Sequence, residues 1–188
     1  LDPKAVRHLL LTHAHADHSG GAAGLRARLD LTVAASNEAA TTVRTGDEQR
    51  LSLDVARRAG AYPLDYRYDT CPVDVELGDG ESYHVGDLVL TALATPGHSG
   101  DQLSFVLRQA DKVSVFCGDT VFAGGRVLLQ DIWDCSVQAS CRSVERLAGL
   151  GIEGLYPGHL SFSVQRGHRH VDRAMAQVRQ LLPPEQLA

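Results

Sequence analysis

Apolar and polar positions along this chain switch repeatedly between a two-residue and a roughly 3.6-residue period, and the switches divide it into alternating strands and helices. Short apolar or alternating runs at residues 9–12, 31–35, 73–77, 82–85, 88–94, 103–107 and 113–116 predict strands, with a further one leading from Ile152 toward Pro157. The turns Gly78-Asp79-Gly80 and Gly86-Asp87 separate three of them, and 103–107 with 113–116 reads as a hairpin. Ala22, Leu25 and Leu29 fall near helical spacing and predict a helix over 21–29. Ser36 is placed to cap a helix over 37–43, and Asp47 to cap one running through Arg58 to Gly60. Residues 136–147 and 164–182 read as helices, the last stopped by Pro183-Pro184, and 3–7 as a short helical tail. Residues 61–72, with Tyr62, Pro63, Tyr66, Tyr68 and Pro72, predict an irregular segment within the domain. Interleaved strands and helices imply an α/β (α+β) sheet core covered by helices, and 188 residues are expected to form one domain, 1–188, with a substantial core.

The polar residues at the strand ends carry the chemistry. Behind the first apolar run stands His13-Ala14-His15-Ala16-Asp17-His18, four side chains able to bind a metal within six residues. Side chains alternate along an extended segment, so His13 and His15 share a side; Ser19-Gly20-Gly21 lets the chain bend and aim Asp17 and His18 at a neighbouring point. His98 follows Thr95-Pro96-Gly97, Asp119 follows Gly118, and His159 follows Pro157-Gly158, each just past a predicted strand. Strand ends that feed loops on one rim are how a rigid scaffold presents a site. Neutral imidazoles and carboxylates suit borderline divalent cations, zinc first, with iron or manganese as alternatives.

Taken together, His13-x-His15-x-Asp17-His18, Thr95-Pro-Gly-His98, Gly118-Asp119 and Pro157-Gly-His159 resemble the metallo-β-lactamase-fold hydrolase superfamily, and most nearly its glyoxalase II-like branch. The resemblance implies an αβ/βα sandwich and a site for two divalent metal ions. His13, His15 and His98 would hold the first ion, Asp17, His18 and His159 the second, and Asp119 would bridge them. In such a site a water held between the ions loses its proton near neutral pH and attacks a carbonyl. Asp17 would be the catalytic residue that orients this water and accepts a proton. The true β-lactamases of the superfamily carry Cys or Ser where this branch has its bridging Asp, so Asp119 argues against β-lactam hydrolysis. The activity implied is hydrolysis of a small ester-like substrate, a thioester or a lactone. The alternatives are a mononuclear-iron sulfur dioxygenase of the same fold, which dispenses with the second site and so with His159, and a phosphodiesterase or nuclease. The family also sets several strands ahead of the first histidine motif, so N-terminal strands are expected to be missing from this chain, since their loss would leave an unpaired sheet edge. Glyoxalase II recognises glutathione through a C-terminal helical extension; this chain ends soon after one helix, so glutathione thioesters are a candidate substrate rather than the default.

Composition narrows the partners. A net charge of −5 and a pI near 6.0 give no basic face for phosphates, so no nucleic acid is expected and the nuclease reading is the weaker. Arginines scattered through 44–58 and 166–179 read as solvated helix faces. No apolar run approaches membrane-spanning length and no signal-peptide pattern is present, so no membrane is expected. Cys71, Cys117, Cys135 and Cys141 form no C-x-x-C pair, which suits a reducing cytoplasm; Cys117, two residues before Asp119, is expected to pack as a small buried hydrophobe. Ser99 lies outside a G-x-S-x-G elbow and reads as a turn residue. His8 is expected just ahead of the first strand, His84 as a structural or surface residue, and His168 and His170 on a solvated helix face. Tyr62, Tyr66, Tyr68, Phe122, Trp133 and Phe162 are candidates for an apolar substrate wall or for a homodimer contact around a small-molecule substrate.

Overall fold

The computed structural model describes residues 2–187, which form two compact units divided between Leu77 and Gly78. In the first unit β1 (His8–Leu10), β2 (Thr32–Ser36) and β3 (Val75–Leu77) form a parallel sheet in that order, with Leu9 opposite Val33 and Ala34 opposite Val75. Parallel neighbours need crossovers. Here α1 (Ala16–Ser19) and α2 (Ala22–Arg28) supply the first, and α3 (Asn37–Thr45) and α4 (Leu53–Arg58) the second. Small side chains let the helices close on the sheet: Val33, Ala35, Ala39, Ala40, Val43 and Leu53 are fully buried, with Tyr62, Tyr66 and Tyr68 laid against the same cluster. Ser36 caps α3 as its position predicts, its hydroxyl accepting the Ala39 N–H, and Gly46 ends the helix in the left-handed conformation.

Asp47 does not start a helix. Its carboxylate accepts the N–H groups of Gln49 and Arg50 and caps only a turn; Ser52, at φ 52°, interrupts the chain before α4 begins at Leu53. His8 is the first residue of β1 rather than ahead of it. The arginines of this unit are more than solvated surface. Arg57 holds both Glu48 oxygens at 2.8 Å and the Tyr66 carbonyl at 2.6 Å, Arg26 grips Asp74, and Arg44 reaches Glu76 and the Val73 carbonyl, so three arginines pin the irregular 61–74 segment and its neighbours to the helices.

The second unit is a five-stranded sheet in sequence order: β4 (Ser82–Val85), β5 (Leu88–Ala94), β6 (Leu103–Gln109), β7 (Lys112–Gly118) and β8 (Gly154–Pro157). The first four are antiparallel, and β8 joins β7 in parallel through a crossover that carries α5 (Val137–Ala148). Gly86, at φ 57°, closes the two-residue turn between β4 and β5. The 103–116 hairpin forms as expected and runs longer, turning at Ala110-Asp111. Val113, Val115 and Cys117 alternate onto one face of β7 and bury against Val144, Leu147, Ile152, Leu155, Val171 and Ala174. Ser136 caps α5 on the Ala139 N–H.

The final helix, α6 (His168–Val178), is shorter than 164–182. Arg166 sits at φ 56° and the Gly167 and His168 N–H groups go to the Glu153 and Ile152 carbonyls, so the chain is still tied to the segment entering β8 where the sequence pattern already reads helical; Leu181 at φ 61° ends the other side. His168 and His170 are not on a solvated face. Both are partly buried, and both ring systems are hydrogen-bonded within the unit. Among the described residues no helix is long and apolar enough to cross a membrane.

Candidate metal centre

In the first unit the donors follow directly from β1. Leu11 extends the strand by one bond, to the Ala34 carbonyl, and the chain then bends at Thr12 and passes through His13 and His15 before entering α1. The bend comes before Asp17 and His18, not after them: both stand in the first turn of α1, and His15 precedes it. His13 is fully buried and His15 nearly so, their rings edge to face with centroids 4.8 Å apart; the His18 ring lies 4.1 Å from that of His13. Ligand atoms of His13 and His15, of His13 and His18, and of Asp17 and His18 lie within 4.8 Å of one another. The Thr12 hydroxyl engages His13 Nδ1 at 3.1 Å, which directs Nε2 to any cation. His18 Nε2 is 3.3 Å from Asp17 Oδ2.

The turn is fixed from behind. Ser19 donates to the Ala14 carbonyl at 2.6 Å and meets the Tyr68 hydroxyl at 2.8 Å. Gly20 admits no side chain, because a Cβ would stand 2.5 Å from the Ala16 carbonyl oxygen and 2.7 Å from the Tyr66 hydroxyl. Tyr62 and Tyr68 both have phenols pushed up to about 12: burial is the main cause for each, with the charge of Asp17 adding to it at Tyr62.

In the second unit three strand ends supply the donors. Past β5, His98 is buried and its Nδ1–H donates to the Leu128 carbonyl at 2.9 Å, a bond that sets the tautomer and frees Nε2. Past β7, Gly118 at φ 49° turns the chain into Asp119, and past β8 the Gly158 N–H bonds the Gly118 carbonyl, so the Asp119 and His159 loops start side by side. His98 Nε2 and His159 Nε2 each lie 3.5 Å from Asp119 Oδ2. Asp119 is 2% exposed and the His159 side chain 41%, so this trio runs from the core to the surface.

A buried polar network that the sequence pattern did not reveal holds this trio. Gln102 accepts the Asp119 N–H and donates to the Thr120 hydroxyl at 2.6 Å and to the Thr95 carbonyl at 3.2 Å; the Thr95 hydroxyl in turn meets those of Thr120 and Ser104. Gln102 therefore ties the Asp119 turn to the start of the His98 loop. The only trace of it in the sequence is a polar pair, Gln102 and Ser104, two apart on one face of a strand start. Asp134 secures the far side of the loop, accepting from Ser99 and from the Gly100 N–H, and Ser99 stands in the bend as expected.

Of the aromatic candidates, Phe122 is fully buried and stacks on His159 with centroids 6.5 Å apart, whereas Trp133 and Phe162 are exposed. His84 is exposed on β4. Cys117 is buried as expected; its thiol donates to the Val121 carbonyl and is pushed up to about 12 by burial, which leaves it a packed hydrophobe and no thiolate ligand. All four cysteines are free.

The family model described as the metallo-beta-lactamase superfamily matches residues 1–159. The chain belongs to that superfamily. Solved members share its fold: the BLEG-1 B3 metallo-beta-lactamase superposes with a TM-score of 0.70 at 22% identity, covering 84% of this chain and 71% of that one. BJP-1, a subclass B3 metallo-beta-lactamase of Bradyrhizobium japonicum, gives 0.63 at 23% identity over 82% of this chain and 57% of its own. Among curated relatives, the hydroxyacylglutathione hydrolase of Methylococcus capsulatus is 31% identical over 155 residues, 81% of this chain and 48% of that protein. The atrochrysone carboxyl ACP thioesterase of Aspergillus fumigatus is 28% identical over 177 residues, 93% of this chain and 45% of its own length. This superfamily member thus spans about half the length of the curated relatives it matches.

Proposed function

We propose that this chain carries the active site of a metal-dependent hydrolase that cleaves a small thioester, with lactones as the second substrate class. The reading is carried by Asp119: a carboxylate 2% exposed, with the imidazole nitrogens of two histidines each 3.5 Å from the same oxygen. A buried charge is stable when paired or bound to a metal, and two imidazoles sharing one carboxylate oxygen match the donor set of a borderline divalent cation. Curated relatives named as a thioesterase and a hydroxyacylglutathione hydrolase support the substrate class.

In this reading His13, His15 and His98 would hold one ion, Asp17, His18 and His159 would hold a second, and Asp119 would serve both. The donors fit zinc best and admit iron or manganese: five imidazoles and two carboxylates, with no thiolate, since Cys117 stays protonated and packed. Bound there, two divalent ions would supply Lewis acidity and a nucleophile at neutral pH. The chain's own residues do the rest. Asp17, about half exposed at the head of α1, orients water and takes up its proton. The bond from His98 to the Leu128 carbonyl keeps Nε2 as its donor, and Gln102 holds the Asp119 backbone so that its carboxylate stays on station. The acidic balance supports a small-molecule substrate over nucleic acid, and the four free cysteines support a reducing compartment such as the cytoplasm.

Elemental analysis of the purified protein beside a panel of thioesters, lactones and phosphodiesters tests it. The expected result is two divalent ions per chain with thioester turnover above the rest, and loss of both second-ion retention and turnover in Asp119→Ala. Turnover that survives Asp119→Ala would overturn the assignment. A single iron per chain with oxygen consumption would move the protein to sulfur dioxygenase chemistry.

A further inference from the structure

We infer that His170 is a positioning residue: its imidazole clamps the loop that follows Asp119 to the loop that follows His159, and so fixes the spacing of the two groups. The inference rests on the reading of Asp119 and His159 as metal ligands, and all the elements involved lie in the second unit.

His170 stands in the first turn of α6, away from both candidate ligands in sequence. The Gly124 N–H donates to its Nδ1 at 2.9 Å, and its Nε2 is 2.7 Å from the Ser163 hydroxyl. Gly124 belongs to the 119–126 loop and Ser163 to the segment that leaves His159, so one ring touches both. The bonding fixes the tautomer. A backbone N–H can only donate, so Nδ1 must carry a lone pair, and the neutral ring then carries its hydrogen on Nε2, where it donates to Ser163. A proton on Nδ1 would face the Gly124 N–H and open the clamp. Burial favours the neutral form by lowering the His170 pKa, and the adjacent Arg169 adds to the effect.

Both arms of the clamp are anchored to rigid backbone. Ser163 exchanges both main-chain hydrogen bonds with Leu155 of β8. Gly125, at φ 78°, presses so closely on α6 that a Cβ there would stand 2.6 Å from the His170 carbonyl oxygen and 2.7 Å from the Ala174 nitrogen. Between Asp119 and this contact lies Phe122, fully buried and stacked on the His159 ring. A displaced Gly124 therefore shifts Phe122, and with it the packing that orients His159. A histidine that merely filled space would need neither a defined tautomer nor a polar partner on each nitrogen.

Three variants test this together with the wild type. Long-range proton–nitrogen correlation spectra of the wild type should show His170 with hydrogen on Nε2 and a bare Nδ1; the opposite tautomer would overturn the clamp. His170→Ala should raise the Gly124 amide exchange rate and lower zinc retention against a competing chelator by about tenfold, the low end of the roughly 10–100-fold range for groups that support ligands. His170→Asn keeps an acceptor near the Nδ1 position and should restore Gly124 protection, whereas His170→Gln keeps only the arm to Ser163 and should not. Asn and Gln variants carry the test if the Ala variant does not fold. Zinc retention equal to the wild type in both His170→Ala and His170→Gln would overturn the inference. A wild type that takes up no zinc would instead defeat the metal reading, and the tautomer and Gly124 exchange would then decide the clamp alone.

Discussion

Gln102→Met isolates the network under Asp119. Methionine matches glutamine in length and flexibility, so packing is largely kept while the amide is lost. Gln102 is 1% exposed, and water cannot readily replace it. Its oxygen accepts the Asp119 N–H at 3.1 Å, and its nitrogen serves the Thr120 hydroxyl at 2.6 Å and the Thr95 carbonyl at 3.2 Å. Thr120 retains a bond to the Thr95 hydroxyl, so two groups lose their partner outright, the Asp119 N–H and the Thr95 carbonyl. A buried polar group left unsatisfied costs about 1–3 kcal/mol, which gives about 2–6 kcal/mol here, and about 3 kcal/mol if the loop relaxes partway. For a chain of this size that is a fall in Tm of about 6–12 °C. Urea unfolding of metal-depleted protein is the assay, because bound ions would add their own concentration-dependent stabilisation. The midpoint should fall with the slope unchanged, and metal retention should weaken in parallel because the lost bond anchors Asp119. A loss under about 0.5 kcal/mol, in the range of ordinary surface substitutions, would refute the claim that this amide is structurally required.

The tyrosines give a pH dependence. Burial pushes the phenols of Tyr62 and Tyr68 up to about 12 against an ordinary value of 10, and raises Tyr66 as well, so the native state favours the neutral phenol; stability is intact below pH 10 and declines as pH climbs from 10 toward 12, and ultraviolet phenolate titration should show these groups titrating late and becoming normal on unfolding. Gly97→Ala places a Cβ 2.5 Å from Ser140 Cα and 2.6 Å from its nitrogen, at φ 148°, and should destabilise by about 3 kcal/mol or more and displace His98, read from the denaturation midpoint and from metal content. Cys117, buried with its thiol pushed up to about 12, should resist an aromatic disulfide reagent in the native metal-free protein while Cys135 and Cys141 react; prompt modification of Cys117 would show that its pocket opens.

Hydrophobic period made the strands legible because this chain's strands alternate or run apolar between glycine turns, as in β4 and β5, whose bounds match the expectation residue for residue. Helix bounds were legible where a side chain closes the first turn, as Ser36 and Ser136 do. They failed where a non-glycine residue takes a left-handed conformation. Ser52 and Arg166 carry no local mark of that geometry; it accompanies the turn that Asp47 caps and the Gly167 bond to Glu153, just ahead of β8. His168 and His170 read as solvated because helical spacing says nothing of what a neighbouring loop brings to the helix. Gln102 was hidden for a similar reason: its partners come from positions 95, 119 and 120, joined only once the sheet has formed.

The ligand candidates stood out for the opposite reason, since they break the rules that made the scaffold readable. A histidine fully buried at position 13 and a carboxylate 2% exposed at 119 are expensive choices for cores built mainly of apolar side chains. The unit that holds Asp119 places two imidazole nitrogens 3.5 Å from one of its oxygens. It surrounds the carboxylate with imidazole nitrogens and fixes its backbone through neutral groups, Gln102 and the hydroxyls behind it. An arginine partner would stabilise the carboxylate and also occupy its lone pairs, leaving no ligand to offer a cation. The amide and hydroxyls behind the backbone hold the Asp119 turn in place while two imidazole nitrogens face its Oδ2. Local rules are broken where a function requires it, and under the function proposed above Asp119 is such a place.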